Sequence, residues 1–154
     1  MRAVYLLPLA LAALCLAGDD GNASLLPEGP GKEVVAKVCT ECHSVDRMRS
    51  LRIGKDDWWE KVADMVDRGA KATDPEVEAV VEYMSRNFGP DAKVWVNTAP
   101  MVELKAVLGF SVAEGNAVVA YRQSNGKFAE WRDLAKVPGL DAKKVEAKKD
   151  LMLF

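Results

Sequence analysis

Five consecutive residues, Cys39-Thr40-Glu41-Cys42-His43, constrain this chain more than any other feature of it. Two thiols three positions apart can join each other, share a metal ion or link to one flat group, and a histidine directly after the second thiol narrows that choice. A zinc site needs a second pair of ligands. Here His43 is the only histidine, and the one other cysteine, Cys15, lies in an apolar N-terminal run. A thioredoxin-type redox pair sits in a βαβ context, and no alternating strand pattern surrounds this one. The remaining chemistry is haem attachment. Thiols about one helical turn apart each reach a vinyl group of the same porphyrin, and the following imidazole points at the iron. The spacing predicts one covalently attached haem c, held by Cys39 and Cys42, with His43 as proximal iron ligand.

A single histidine also restricts the opposite axial position. Two histidine ligands within one chain are excluded, which leaves a Met thioether, a ligand that raises the reduction potential. Met48 is too near His43 to reach the far face, and Met101 and Met152 fall in the C-terminal half. Met65, near the end of the second helix and just before Arg68-Gly69-Ala70, is the leading candidate. Met84, on the apolar seam of the third helix, is the alternative. Packing in an apolar stripe accounts for either side chain equally well.

Residues 1–18 read as a secretory signal. Arg2 opens it, Ala3 to Leu16 is apolar apart from Pro8, and small residues follow at Ala17 and Gly18. An exported, periplasmic location with the signal cleaved is the expectation, and a retained N-terminal anchor is the alternative. Residues 19–32 are rich in Gly, Pro and Asp and read as a flexible leader. From Glu33 the pattern turns helical. Val34, Val35 and Val38 mark a first helix. Asp56 or Asp57 caps a second, with Trp58, Val62, Met65 and Val66 inside, and Gly69 ends it. Asp74-Pro75-Glu76 opens a third, with cap, proline and acid in order. Its seam is Val77, Val80, Val81, Met84 and Phe88. After a linker at 91–95, helices are predicted at 100–107, 112–123, 129–136 and 142–151. The chain reads as all-α, with modules at 33–90 and 96–154.

Residues 31–90 resemble a class I mono-haem cytochrome c domain of the compact bacterial kind. The resemblance rests on the Cys-x-x-Cys-His helix, on the Trp-bearing helix with Met65 followed by Arg68-Gly69-Ala70, and on a last helix carrying Glu82-Tyr83-Met84 and ending Phe88-Gly89-Pro90. It implies electron transfer with a partly exposed haem edge, and a last helix that crosses the first through Tyr83. The usual loop with Met next to Pro is absent. Trp58 and Trp59 are adjacent and cannot share one helix face, so Trp58 is expected inside and Trp59 outside. One of Arg47, Arg49 and Arg52 is expected to face a haem propionate, with a solvated loop as the alternative. A domain this small buries little apolar surface unaided, so covalent haem would be its staple.

Residues 96–154 resemble the helix-hairpin-helix domain of ComEA-like competence DNA receptors. The matching residues are Val96-Asn97-Thr98-Ala99, Leu104, Gly109-Phe110, Ala117 to Arg122, Asn125-Gly126-Lys127-Phe128, Asp133-Leu134, Val137-Pro138-Gly139-Leu140 and Asp150-Leu151. In that family each hairpin reads Gly-hydrophobic-Gly and its N–H groups grip a DNA phosphate. Here Ser111 and Asp141 replace the second glycines, and Glu114 stands where a basic residue is common. Residues 97–154 carry 9 Lys+Arg and 7 Asp+Glu, a net charge of +2, which offers little counterion release. Lys143, Lys144, Lys148 and Lys149 form one basic end.

Three functions follow as expectations. The first is an exported carrier of single electrons that is not itself an enzyme, with a redox protein as partner and the second module for docking. The second is a DNA-binding or DNA-uptake protein with an appended haem. The third is a haem sensor with a labile sixth ligand.

Overall fold

The computed structural model describes residues 21–154, and the signal read at residues 1–18 lies outside them. The chain is mostly helical. A first group comprises α1 (Gly21–Ser24), α2 (Lys32–Cys39), α3 (Asp46–Arg49), α4 (Lys55–Asp67) and α5 (Asp74–Phe88). A second comprises α6 (Met101–Leu108), α7 (Val112–Asn125) and α8 (Ala142–Ala147), with 3₁₀ turns at Trp131–Lys136 and Lys149–Leu151. Two short strands, β1 (Val94–Trp95) and β2 (Met152–Leu153), pair in parallel, with Val94 opposite Met152 and Trp95 opposite Leu153. They tie the start of the second module to its end. The all-helical reading missed them because two residues per strand carry no detectable period.

Caps set the helix boundaries. The second helix is capped one turn edge earlier than expected: Gly54 is the N-cap, and Asp57, the third helical residue, reaches back to accept from the Gly54 N–H. The third helix is capped by Thr73, with Glu76 accepting from the Thr73 N–H at 2.8 Å. Both arrangements satisfy amides that the first turn leaves unpaired. The predicted helices at 129–136 and 142–151 are shorter, because Glu130 and Asp133 tighten the first into a 3₁₀ turn and Lys148 ends the second.

Two apolar clusters form the core. The N-terminal one gathers Val35, Val38, Val45, Trp58, Val62, Val80, Val81, Tyr83, Met84 and Phe88. The C-terminal one gathers Val94, Val96, Leu104, Leu108, Phe110, Val118, Phe128, Leu134, Val137, Val145 and Met152. Trp58 is buried at 2% exposure while Trp59 stands out at 48%, the split expected of adjacent helical residues.

The flexible leader read at 19–32 is corrected in its described part. Leu26 is 2% exposed within the N-terminal cluster, and the Tyr83 hydroxyl donates to the Pro27 carbonyl at 2.6 Å. Burying a leucine favours the folded state by about 1.5–3 kcal/mol, enough to dock a segment whose composition alone reads as loop. At Gly31, where φ is 94°, an added Cβ would lie 3.0 Å from the Tyr83 Cβ and 3.1 Å from the Ala79 carbonyl. That glycine lets α2 and α5 cross closely, at the residue expected for the crossing.

Candidate functional site

α2 ends at Cys39, so Cys42 and His43 sit in the turn that follows rather than on the helix. A cavity of about 810 Å³ opens beside that turn. Its wall includes Cys39, Cys42 and His43 from the turn, Met48 and Leu51 from the segment around α3, Trp58, Val62 and Met65 from α4, and Val80 and Met84 from α5. Residues distant in sequence are thereby brought to one space, and all five candidate site residues, both methionine alternatives included, line it. Pockets that take small organic ligands and cofactors hold roughly 300–1,000 Å³ and are mostly apolar with a few placed polar groups.

The two methionines differ in setting. Met84 is 1% exposed and belongs to the N-terminal cluster, whereas Met65 is 39% exposed at the cavity. Met65 therefore has room to move, and Met84 is held by its neighbours on all sides. The two cysteines are free thiols. Burial pushes the Cys39 thiol up to about 11, the reverse of the depressed values of reactive redox cysteines. The His43 ring Nδ1 lies 3.0 Å from the Ser44 carbonyl, to which it can donate. Among the described residues, no three His, Cys, Asp or Glu side chains are grouped so as to hold a metal ion by themselves.

Three arginines follow the motif, and the structure separates them. Arg47 lines the cavity, as do Lys61 and Arg68. Arg49 and Arg52 turn the other way, to Glu103 in α6. Arg49 donates through Nε to Glu103 Oε2 at 2.8 Å, and Arg52 through Nη2 to Oε1 at 2.8 Å. Of the three, Arg47 alone has its side chain at the cavity. Sequence reasoning missed Lys61 and Glu103. Lys61 lies one helical turn before Met65, a spacing that marks it. Glu103 is 51 residues or more from its partners, and no local pattern announces it.

The second module carries its own pair of loops. Gly109 (φ 68°) and Gly139 (φ 81°) turn the two hairpins, and Ser111, Glu114, Pro138 and Gly139 line a groove between them. The amides there are engaged by the chain's own carboxylates. Glu114 accepts from the Ser111 N–H at 2.6 Å and from Lys144 Nζ at 2.7 Å, and Asp141 accepts from the Lys143 N–H at 2.9 Å. Hydrogen bonding from Lys144, then from Ser111, holds the Glu114 carboxyl down at about 2. The basic end is also partly committed, since Lys149 lies over the Trp131 ring at 5.7 Å.

Residues 90–152 match the helix-hairpin-helix motif family. The chain is 38% identical over 58 residues to ComE operon protein 1 of Bacillus subtilis (strain 168), a stretch covering 38% of this chain and 28% of that protein. The chain thus spans little more than a quarter of the length of the curated relative it matches. No solved structure matches it. The C-terminal module thus matches a helix-hairpin-helix motif, within a mostly helical chain. No helix among the described residues is long and apolar enough to cross a membrane.

Proposed function

We propose that the chain is an exported mono-haem c-type cytochrome whose helix-hairpin-helix domain docks it to a partner. One observation carries this reading: Cys39, Cys42 and His43 border a single cavity of about 810 Å³ that is otherwise mostly apolar and contains a half-free Met65. The donor set fits the group. A neutral, desolvated Cys39 thiol suits thioether attachment inside an apolar wall and does not suit a thiolate metal site. When bound, haem supplies a one-electron couple between ferrous and ferric iron.

The chain's own residues do the rest. Cys39 and Cys42 would anchor the porphyrin edge to the end of α2. His43, oriented by the Ser44 carbonyl, would be the imidazole ligand to the iron. Met65 would be the opposite ligand, because its exposure leaves it mobile enough to reach, and Met84 is the alternative. Trp58 and Val62 exclude water from the cavity wall. Arg47, Lys61 and Arg68 are cations of the cavity lining that could serve the carboxylates of the bound group. The role proposed is that of carrier rather than enzyme. Absorption spectra of protein matured in an exporting, haem-competent host test the reading. The expected result is a sharp reduced c-type spectrum and a pyridine haemochrome with no free vinyl groups, and a colourless protein contradicts it.

A second reading, duplex DNA binding or uptake, is favoured by the family match over residues 90–152. Against it stand Glu114 and Asp141, which already occupy hairpin amides of the kind that would meet phosphate. The two readings separate in a salt titration. Binding to duplex DNA that falls steeply with salt supports the second, and no binding at low salt removes it.

A further inference from the structure

We infer that Glu103, in the helix-hairpin-helix domain, is a positioning residue for the haem cavity, fixing the wall segment 45–53 and balancing the charge buried behind it. The inference rests on the haem reading above.

The observations begin with Arg49, which is fully buried, and Glu103, which is 1% exposed. Fully buried arginine and glutamate are rare and persist when they are paired and hydrogen-bonded. Arg49 bonds Glu103, the Thr98 carbonyl at 3.1 Å and the Leu25 carbonyl. One guanidinium thus ties together the leader, the cavity wall and the second domain. Arg52 bonds the other Glu103 oxygen and, through Nη1, the Arg49 and Leu51 carbonyls at 2.7 and 2.8 Å. Both guanidinium groups lie over the Phe88 ring, at 5.9 and 5.6 Å from its centroid.

The link to the cavity is covalent and short. Arg49 follows Met48 and Arg52 follows Leu51, and Met48 and Leu51 both line the cavity. Within residues 48–52 two adjacent pairs, Met48–Arg49 and Leu51–Arg52, therefore each set one residue at the cavity and the next in the ion-pair cluster, with Ser50 between them. A carboxylate from the other domain holds both pairs in register. Asp46 and Arg122 are the further charged groups whose fields reach Arg49, and neither bonds both arginines as Glu103 does.

The consequence is a sign. Removing the Glu103 charge leaves two guanidinium groups without their shared anion, and added positive charge disfavours the ferric state. Removing the Arg52 charge does the opposite. A purely structural loosening of the wall would admit water and move both variants the same way.

The test is redox titration of holoprotein for wild type, Glu103→Gln and Arg52→Gln, with exposed Glu130→Gln as control and intact mass recorded for each. At a fixed potential, Glu103→Gln is expected to raise the ferrous-to-ferric ratio about tenfold, equivalent to about 59 mV for one electron. Arg52→Gln is expected to lower it by a similar factor, and Glu130→Gln to leave it unchanged. Should Glu103→Gln fail to fold, Arg52→Gln is compared with the charge-conserving Arg52→Lys, which is expected to leave the ratio near wild type, and an equal fall in both overturns the inference. Shifts of one sign in both variants, or none beyond the control, overturn the inference while haem attachment stands. Wild-type mass equal to the bare polypeptide overturns the haem reading itself.

Discussion

Met65 is the residue on which the proposed haem chemistry turns. It is exposed at the cavity, while Met84 is locked in the core. Met65→Ala is expected to abolish the thioether-to-iron absorption band of the oxidised protein and to allow carbon monoxide to bind the reduced form, with haem still attached. Survival of the band would move the role to Met84. Trp58 is the second telling residue, since its ring is buried and its indole N–H reaches the Phe88 carbonyl at 3.4 Å. Trp58→Ala should cost about 3–5 kcal/mol, as large-to-small changes in a core do, measured by urea unfolding of the holoprotein. At this scale the sequence was most legible. Cys39, Cys42 and His43, grouped by the motif, border one cavity, and the register of Trp58 with Val62 settles which tryptophan faces inward. The roles of Arg47, Arg49 and Arg52 were not legible, because three like charges on one loop look alike until their distant partners are in place.

Among the elements, α7 shows how local chemistry redirects a loop inherited with the fold. Ser111 caps the helix and Glu114 completes the capping box, so the N-terminal amides are served from within. Glu114 has a folded pKa of about 2, below its unfolded value of about 4.3. The stabilisation it gives is therefore full above about pH 5 and disappears as the pH falls through 2. Lys144→Met removes the partner, so the stability gap between wild type and variant should be widest near neutrality and close towards pH 2. Denaturant unfolding at pH 6 and pH 2.5 checks this, and a gap that does not narrow contradicts it. Helix periods and the Gly109 and Gly139 turns were readable in advance. The β1–β2 pair was not, since its partners lie at opposite ends of the second module. Nor was the docking of Leu26 and Pro27, which is decided by Tyr83 and not by the leader's own composition.

For the whole molecule, the Arg49–Glu103–Arg52 cluster joins two modules that sequence divides at 91–95. Interfaces between domains in one chain are often small and mobile, but a buried ion-pair cluster resists separation because parting leaves uncompensated charge. Thermal unfolding of the holoprotein should therefore be one cooperative transition, with helix content and the ligand-dependent haem band changing together. Two separated transitions would contradict that coupling. The measurement that bears most directly on the whole account is the intact mass of protein recovered from a haem-competent exporting host. A mass exceeding the polypeptide by one haem, lost when Cys39 and Cys42 are both changed to alanine, is the result predicted. A mass equal to the polypeptide alone would contradict it.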